Sequence, residues 1–569
     1  MLESQRGFLL LAFAAVSFFL FLEWQDLQTV KLAPPAKPVP SSVLETVAIN
    51  DVPAVSDTAV ATTDVPDATA AEVPTTDLPS VQPSTVPVSS SRYIEVVTDT
   101  LRVVIDRQGG DIVEADLLQY RESTEDNSPP VRILSQAGRT HIAQSGIIAN
   151  QGPDAGATRA EYQSPVSSAT MAADAETLDV PLTWTNEAGV SFSKTYRFKR
   201  GSHAVELIAA IDNRSSEQVN ARLFAQLKRD RHAENGAFMG MSAYTGAAYG
   251  ATDHKFEKYP FEDMDETKLD VKTDGGWVAY LQHYFISAWV PGSETGNALY
   301  SRVLADKQSI IGLLQPAFAV APGQSQSTSA TLYVGPKIQD DLAKLASGLD
   351  LTVDYGFLWW IGQPLFWALT LLHSWVGNWG VAIILVTVVV KLLLYPLANA
   401  QYRSFAKMRV LAPKLQQLKE RHGDDRQAMS QAMMELYRKE KVNPLGGCLP
   451  LLITMPVFLA LYWVLMESVE LRHAPFMLWI NDLSVMDPYY VLPILMGASM
   501  WFMQKLQPVS PTMDPMQQKM MQYLPVIMSV FFLWFPAGLV LYWLVNNLLS
   551  IAQQVYITKR VEAEAAKKK

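Results

Sequence analysis

Val388-Val389-Val390-Lys391-Leu392-Leu393-Leu394 lies near the end of a 43-residue stretch, Tyr355 to Leu397, whose only charge is Lys391 and whose only histidine is His373. At about 1.5 Å per residue, one continuous helix of that length would run about 64 Å, twice a hydrocarbon core of roughly 30 Å. The stretch therefore has to break, and Gly362, Pro364, Gly377 and Asn378 offer the places. The expectation is an interfacial amphipathic helix within 346–378, anchored by Phe357, Trp359, Trp360, Phe366 and Trp367, then a transmembrane helix over 379–397.

Toward the C-terminus, further apolar runs predict transmembrane helices over 444–466, 489–503, 523–535 and 539–557, with Phe535-Pro536-Ala537-Gly538 turning between the last two. Between 379–397 and the first of these spans, 398–443 holds ten Lys/Arg. The loop 467–488 holds one, Arg472, against four acidic residues, and the tail 558–569 holds five. Lys and Arg collect on the cytoplasmic side of a bilayer. So 398–443, the loop 504–522 and the tail read as cytoplasmic, and 467–488 as outside.

Toward the N-terminus, Phe8 to Leu22 is an apolar run behind Arg6, without small residues for cleavage in the following Glu23-Trp24-Gln25-Asp26. Residues 1–32 read as an uncleaved signal anchor. Residues 33–90 hold ten prolines and no aromatic residue, the composition of a disordered tether. From 91 to 345 the period becomes two. Val190-Ser191-Phe192-Ser193-Lys194-Thr195-Tyr196-Arg197-Phe198 alternates strictly, and Tyr93–Val97, Leu101–Ile105, Ala204–Ile208 and Ala221–Phe224 behave alike. Short alternating runs between turn residues such as Gly109-Gly110 predict an antiparallel β-sandwich.

The whole is therefore a multi-domain membrane protein: an N-terminal anchor plus a five-helix core, all-α and polytopic, carrying an all-β domain outside. The averages conceal this. The 569 residues are 49% hydrophobic, with mean hydropathy +0.07 and net charge −10. Residues 33–354 carry 41 acidic and 25 basic side chains, so the block placed outside is strongly acidic and the rest is basic. No domain-sized stretch is basic enough for nucleic-acid binding. The single cysteine, Cys448, forms no intrachain disulfide, and no histidine pair has ligand spacing. No phosphate-binding glycine loop, dinucleotide fingerprint or nucleophile elbow occurs, so no catalytic residue, cofactor or metal is expected.

Candidate functional residues are polar groups in apolar surroundings. Lys391 in mid-span costs about 2.5–3.5 kcal/mol on insertion scales. Snorkelling toward the headgroups is one account of it; polar partners are the other. Thr387 lies one turn earlier on the same face. Asn547, Ser550 and Gln554 form one stripe at i, i+3, i+7 of the last span, and Thr454 adds a polar group in 444–466. Ordinary interhelical hydrogen bonding would explain the stripe alone; with a lysine it predicts a hydrophilic groove open to the cytoplasm and lipid. The segment 398–443 reads as a helical hairpin turning at Gly423-Asp424-Asp425, either a short antiparallel coiled coil with a solvated basic face or a basic, Met-rich arm that meets a nascent chain or the ribosome, with Met408, Arg409, Leu411, Met429 and Met433 as its contact residues. Sixteen of the 21 methionines fall between 408 and 528, suiting a surface that adapts to many sequences.

Asn443-Pro444-Leu445-Gly446-Gly447-Cys448, Met455-Pro456-Val457-Phe458, Asp514-Pro515-Met516-Gln517-Gln518-Lys519 and Phe535 through Trp543 resemble the YidC family of membrane protein insertases. Ser4-Gln5-Arg6, the long tether and the large β domain resemble its Gram-negative branch. The resemblance implies a periplasmic β-supersandwich similar to sugar-mutarotase folds, and a non-enzymatic insertase and chaperone of the inner membrane. Its implied partners are nascent inner-membrane proteins, the Sec translocon and accessory subunits, the ribosome and the signal-recognition-particle receptor, besides the lipid bilayer. The family carries an arginine in its groove where this chain has Lys391, which keeps the charge and loses the planar fork. It often pairs two tyrosines where this chain has Tyr542-Trp543, implying substrate-facing aromatics. Two rivals compete: a secondary transporter or channel, which calls for repeats and paired charges across spans, and an anchored carbohydrate enzyme, which calls for paired carboxylates.

Overall fold

The computed structural model describes residues 92–155, 158–231, 244–304, 307–422, 426–440, 449–506 and 515–566. The expected anchor, the tether, the Gly423-Asp424-Asp425 turn, the Asn443 to Cys448 motif and Asp514 lie outside the described residues.

The period-two segments form two large sheets. In one, Glu257–Tyr259, Gly246–Gly250, Trp277–Leu281, Phe285–Pro291, Ser325–Pro336, Ala204–Asn213, Val190–Lys199 and Thr177–Thr185 follow in spatial order, every neighbour antiparallel. Val190 pairs with Asn213 and Phe198 with Val205. Phe192, Tyr196 and Phe198 are thereby turned inward while Ser191, Ser193 and Arg197 lie on the outer face. In the other sheet, Val219–Arg229, His141–Ala149, Asp111–Arg121, Leu101–Asp106 and Tyr93–Val97 run side by side, and Ser168–Thr170 adds a parallel edge strand. One apolar core joins them: Ile94, Val103, Leu117, Ile147 and Leu223 from this sheet meet Leu182, Phe192, Leu207 and Ile211 from the first. Each such side chain, fully buried, contributes about 1.5–3 kcal/mol.

A charged cluster is buried inside the domain. The fully buried Lys194 donates from Nζ to the Gly109 carbonyl (2.6 Å) and the Ser145 carbonyl (2.5 Å). Arg159 bonds both Asp154 (2.6 Å) and Asp111 (2.5 Å), so two cations face two carboxylates. Burial pushes the Lys194 ammonium down to about 8, and Arg159 pushes the same way. Gly109 has φ +78°, and a Cβ there would stand 2.6 Å from the Arg159 guanidinium carbon.

The helical region follows: α1 (Trp359–Val376), α2 (Trp379–Leu393), α3 (Tyr395–His422), α4 (Arg426–Lys439), α5 (Leu449–Glu467), α6 (Val491–Leu506), α7 (Pro515–Phe531) and α8 (Ala537–Ala566). Of the four expected breaks, two act. Gly377 ends α1 in a left-handed cap, and Asn378 starts α2 by accepting from the Val381 N–H at 3.0 Å. Gly362 and Pro364 lie inside α1. α2 stops at Leu393 and meets α3 with a bend of 69°. α6 runs on to Leu506 and α7 begins at Pro515, so both described ends of the expected loop 504–522 are helical. Among the described residues no single helix is long and apolar enough to cross a membrane; the bent α2–α3 pair passes only together.

α8 packs on α6 and α2, and α1 packs on α2 and α5, around Leu369, Ile383, Val386, Leu461, Val464, Met496 and Val540. The outer face is equally apolar. Trp360, Trp367 and Trp375 of α1, Leu392 and Leu393 of α2, Ile494 of α6 and Ile527 of α7 are all exposed. Of the described residues, 411–422, 426–433 and 515–524 belong to a separate compact unit, in which Leu411, Leu415 and Met429 are buried.

The β domain is joined to one end of the helices. Lys337 Nζ, after the last strand, meets Glu467 Oε2 at the end of α5 (3.3 Å), both side chains almost fully buried. His283 Nε2 lies 2.9 Å from the Met466 carbonyl, and the Arg472 guanidinium sits 5.4 Å over the Phe285 ring.

Candidate functional site: a polar stripe facing Lys391

α2 is a run of β-branched and leucine residues whose Ala382, Ile383, Val386 and Thr387 are buried. Val389, Leu392 and Leu393 face outward. Lys391 falls on the boundary and is half-buried. Its Nζ donates to Ser550 Oγ of α8 at 2.7 Å, and the Ser550 hydroxyl donates on to the Asn546 carbonyl at 2.7 Å. Ser550 takes one of three ammonium donors. Among the described residues no carboxylate lies within ion-pair distance of Lys391. The charge is held by a neutral hydroxyl rather than neutralised.

The stripe on α8 is as buried as its spacing suggested, with Asn547, Ser550 and Gln554 each under one-tenth exposed. It reaches three places. Asn547 Nδ2 donates to Ser499 Oγ of α6 at 3.1 Å. Ser550 meets α2. Gln554 Nε2 donates to the Leu506 carbonyl at the end of α6 (3.0 Å), where Arg409 of α3 also donates (2.7 Å). Gln554 and Arg409, expected in the groove and the hairpin respectively, thus share one carbonyl. Thr387 is buried one turn from Lys391, but its hydroxyl donates to the Ile383 carbonyl of its own helix at 2.6 Å. Thr454 lies in α5, and its side chain is outside the described residues. Ser499 was missed; a serine in the apolar part of α6 ahead of Gln504 and Lys505 was the available signal.

Tyr542 is buried, its ring 5.4 Å from that of Phe458; Trp543 stacks on Phe458 at 4.6 Å and meets Phe532 at 3.8 Å. Trp543 Nε1 has no acceptor among the described residues. In the arm, Leu411 and Met429 are buried and Met408, Arg409 and Met433 half-buried. The exposed thioether is Met434, beside the expected Met433.

A β-sandwich joined to helices with an apolar exterior, which carry an inward stripe of hydrogen-bonding groups beside Lys391, is the arrangement of a protein whose helical part handles apolar and polar segments together. The family model for the YidC periplasmic domain matches residues 93–368, and that for the 60Kd inner membrane protein matches residues 371–565. The membrane protein insertase YidC of Shewanella amazonensis is 50% identical over the full length of both chains, and that of Aeromonas hydrophila subsp. hydrophila is 49% identical over 99% of this chain and 98% of its own. The chain belongs to the YidC family of membrane protein insertases of the inner membrane. A solved active YidC insertase, with its first transmembrane domain resolved, superposes with TM-score 0.36 at 17% identity, covering 82% of this chain and 93% of that one; the sequence match alone carries the assignment. The transporter and carbohydrate-enzyme readings are not favoured.

Proposed function

We infer that the chain inserts nascent inner-membrane proteins by giving their polar part a place beside Lys391 while their apolar part passes into lipid. The carrying observation is the Lys391–Ser550 contact at 2.7 Å, a cation between a buried polar stripe and the outward-facing Val389, Leu392 and Leu393. A polar or acidic segment at this boundary exchanges water for a cation and hydroxyls, which lowers the cost of leaving water. No nucleotide is needed, because the driving force is burial of the substrate's own apolar residues.

In this reading α3 and α4 form the cytoplasmic arm that meets the segment first, with Met408, Arg409, Leu411, Met429, Met433 and the exposed Met434 as its contact residues. Thr387, Thr454, Asn547, Ser550 and Gln554 line the groove, and Trp543 with Tyr542 forms its aromatic wall. The ten basic residues of 398–443 support six spans with both termini cytoplasmic and the β domain in the periplasm. Work alone or with the Sec translocon, ribosome and signal-recognition-particle receptor fits that basic arm.

The test is reconstitution of the full chain into phospholipid vesicles with a short single-span substrate and no nucleotide. Protease protection of the translocated end supports the reading. Equal protection in protein-free vesicles defeats it.

A further inference from the structure

Pro475-Phe476-Met477-Leu478-Trp479-Ile480 closes a tight turn in the loop after α5. The Ile480 N–H donates to the Met477 carbonyl (3.2 Å) and the Phe476 N–H to the Ile480 carbonyl (2.9 Å). Leu478 takes φ +58°, a left-handed conformation in which a Cβ crowds the backbone and where glycine or asparagine is the usual occupant. It is also 81% exposed, with Met477 beside it half exposed.

Both features disfavour this leucine in water, since a glycine would relieve the backbone and remove the exposed apolar group. The neighbours are fixed. Asn378 Nδ2 donates to the Phe476 carbonyl (2.9 Å) and the Pro475 carbonyl (3.3 Å). Phe476 packs so closely on α2 that a Cβ at Gly380 would lie 2.1 Å from its ring. Trp479 donates its indole N–H to Asp487 at 2.9 Å. Pro475, Met477 and Leu478 are the exposed residues of the turn, and of these Met477 and Leu478 form its tip.

Asn378 also joins α1 to α2, so the tip is pinned beside the end of α1, where Trp375 is 72% and Val376 40% exposed. Trp359, Trp360 and Trp367 continue that exposed aromatic row along α1. This is the end of the helical region that holds the β domain through Lys337 and Glu467.

We propose that Met477 and Leu478, with Trp375 and Val376, form an apolar wedge that inserts into the periplasmic leaflet of the phospholipid bilayer. Lipid is the occupant because Asn378 holds the turn beside the exposed tryptophans of α1, and amphipathic rings with an apolar tip suit the headgroup boundary. The strained turn presents Leu478 at no further ordering cost when lipid is met. The proposal requires that the helical region sits in a bilayer, and is independent of whether the chain inserts other proteins.

The test places an environment-sensitive fluorophore at Leu478→Cys and, separately, at Met477→Cys. It uses the full chain carrying Cys448→Ser, in vesicles of phosphatidylethanolamine and phosphatidylglycerol. Asn127→Cys in the β domain serves as the water reference and Ile527→Cys on α7 as the lipid reference. The expected result is strong quenching at 477 and 478 by lipids with shallow nitroxides, as at 527, and loss of the iodide quenching seen at 127. Iodide quenching at 477 and 478 equal to that at 127, with 527 still lipid-quenched, overturns the wedge and leaves the insertase reading standing.

Discussion

The Lys391 ammonium on α2 donates to the Ser550 hydroxyl on α8 at 2.7 Å, joining residues 159 positions apart. Ser550 positions the charge and does not supply it. Ser550→Ala should therefore lower thermal stability by about 1 kcal/mol, the scale of one hydrogen bond with water able to replace the hydroxyl, and leave insertion near the wild-type rate. Loss of insertion as complete as that from reversing the lysine's charge would transfer the role from the charge to the hydroxyl.

The Lys337–Glu467 pair ties the β domain to the end of α5 with both partners nearly buried. Removing one leaves the other charged and unpaired, so Lys337→Met or Glu467→Leu alone should cost about 3–5 kcal/mol. The double variant should recover most of that. Thermal unfolding of the full chain in detergent gives the cycle, and protease cleavage near 346–355 reports whether the joint has loosened. Additive single effects would show that the pair is not coupled.

Lys194 predicts a pH dependence. Burial lowers its ammonium from 10.5 to about 8 in the folded domain. Between those values the unfolded chain binds a proton that the folded chain has released, so stability rises with pH across that window. Below pH 8 both states are protonated and the folded one bears the full cost of the buried charge. Relative to Lys194→Met, the wild type should gain about 2 kcal/mol between pH 8 and 9.5. A flat difference would mean that Asp111, Asp154 and the carbonyls hold the ammonium as well as water does.

Two glycines with positive φ separate strain from crowding. Gly189 (φ +85°) has nothing within 4 Å of a Cβ position, so alanine should cost only the left-handed penalty of about 1–2 kcal/mol. Gly109→Ala bears the same penalty and also displaces the Arg159 guanidinium from Asp111 and Asp154. It should cost at least about 3 kcal/mol, since it disturbs a buried ion pair. Melting temperatures of the two variants, compared side by side, decide this.

How much was legible follows from what each feature depends on. The strand Val190–Lys199 could be read from its own residues, because burial on one face imposes period two on the chain itself. The parallel pairing of Ser168–Thr170 with Tyr93–Val97 could not, because register is set by partners distant in sequence. The same contrast holds at the site. Lys391 and the α8 stripe stood out as polar groups among apolar ones. That Arg409 and Gln554 meet was hidden, since their common acceptor is the backbone carbonyl of Leu506 and leaves no residue-type signature. Pro364 was a plausible break by residue type, yet α1 runs through it, with Leu365 and Leu369 buried on its core face. Asp111, Arg159 and Lys194 were scattered along the sequence, and only the sheets bring them together.

The central claim is that the charge at 391 draws the polar part of a substrate into the groove. It is tested by insertion of a short single-span protein with an acidic translocated segment, in cells depleted of the native protein and supplied with Lys391→Arg, Lys391→Ala or Lys391→Glu. The account predicts near-wild-type insertion for arginine, a reduced rate for alanine and the lowest for glutamate, with a neutral translocated segment narrowing the differences. Insertion at the wild-type rate by both the alanine and the glutamate variants would contradict it.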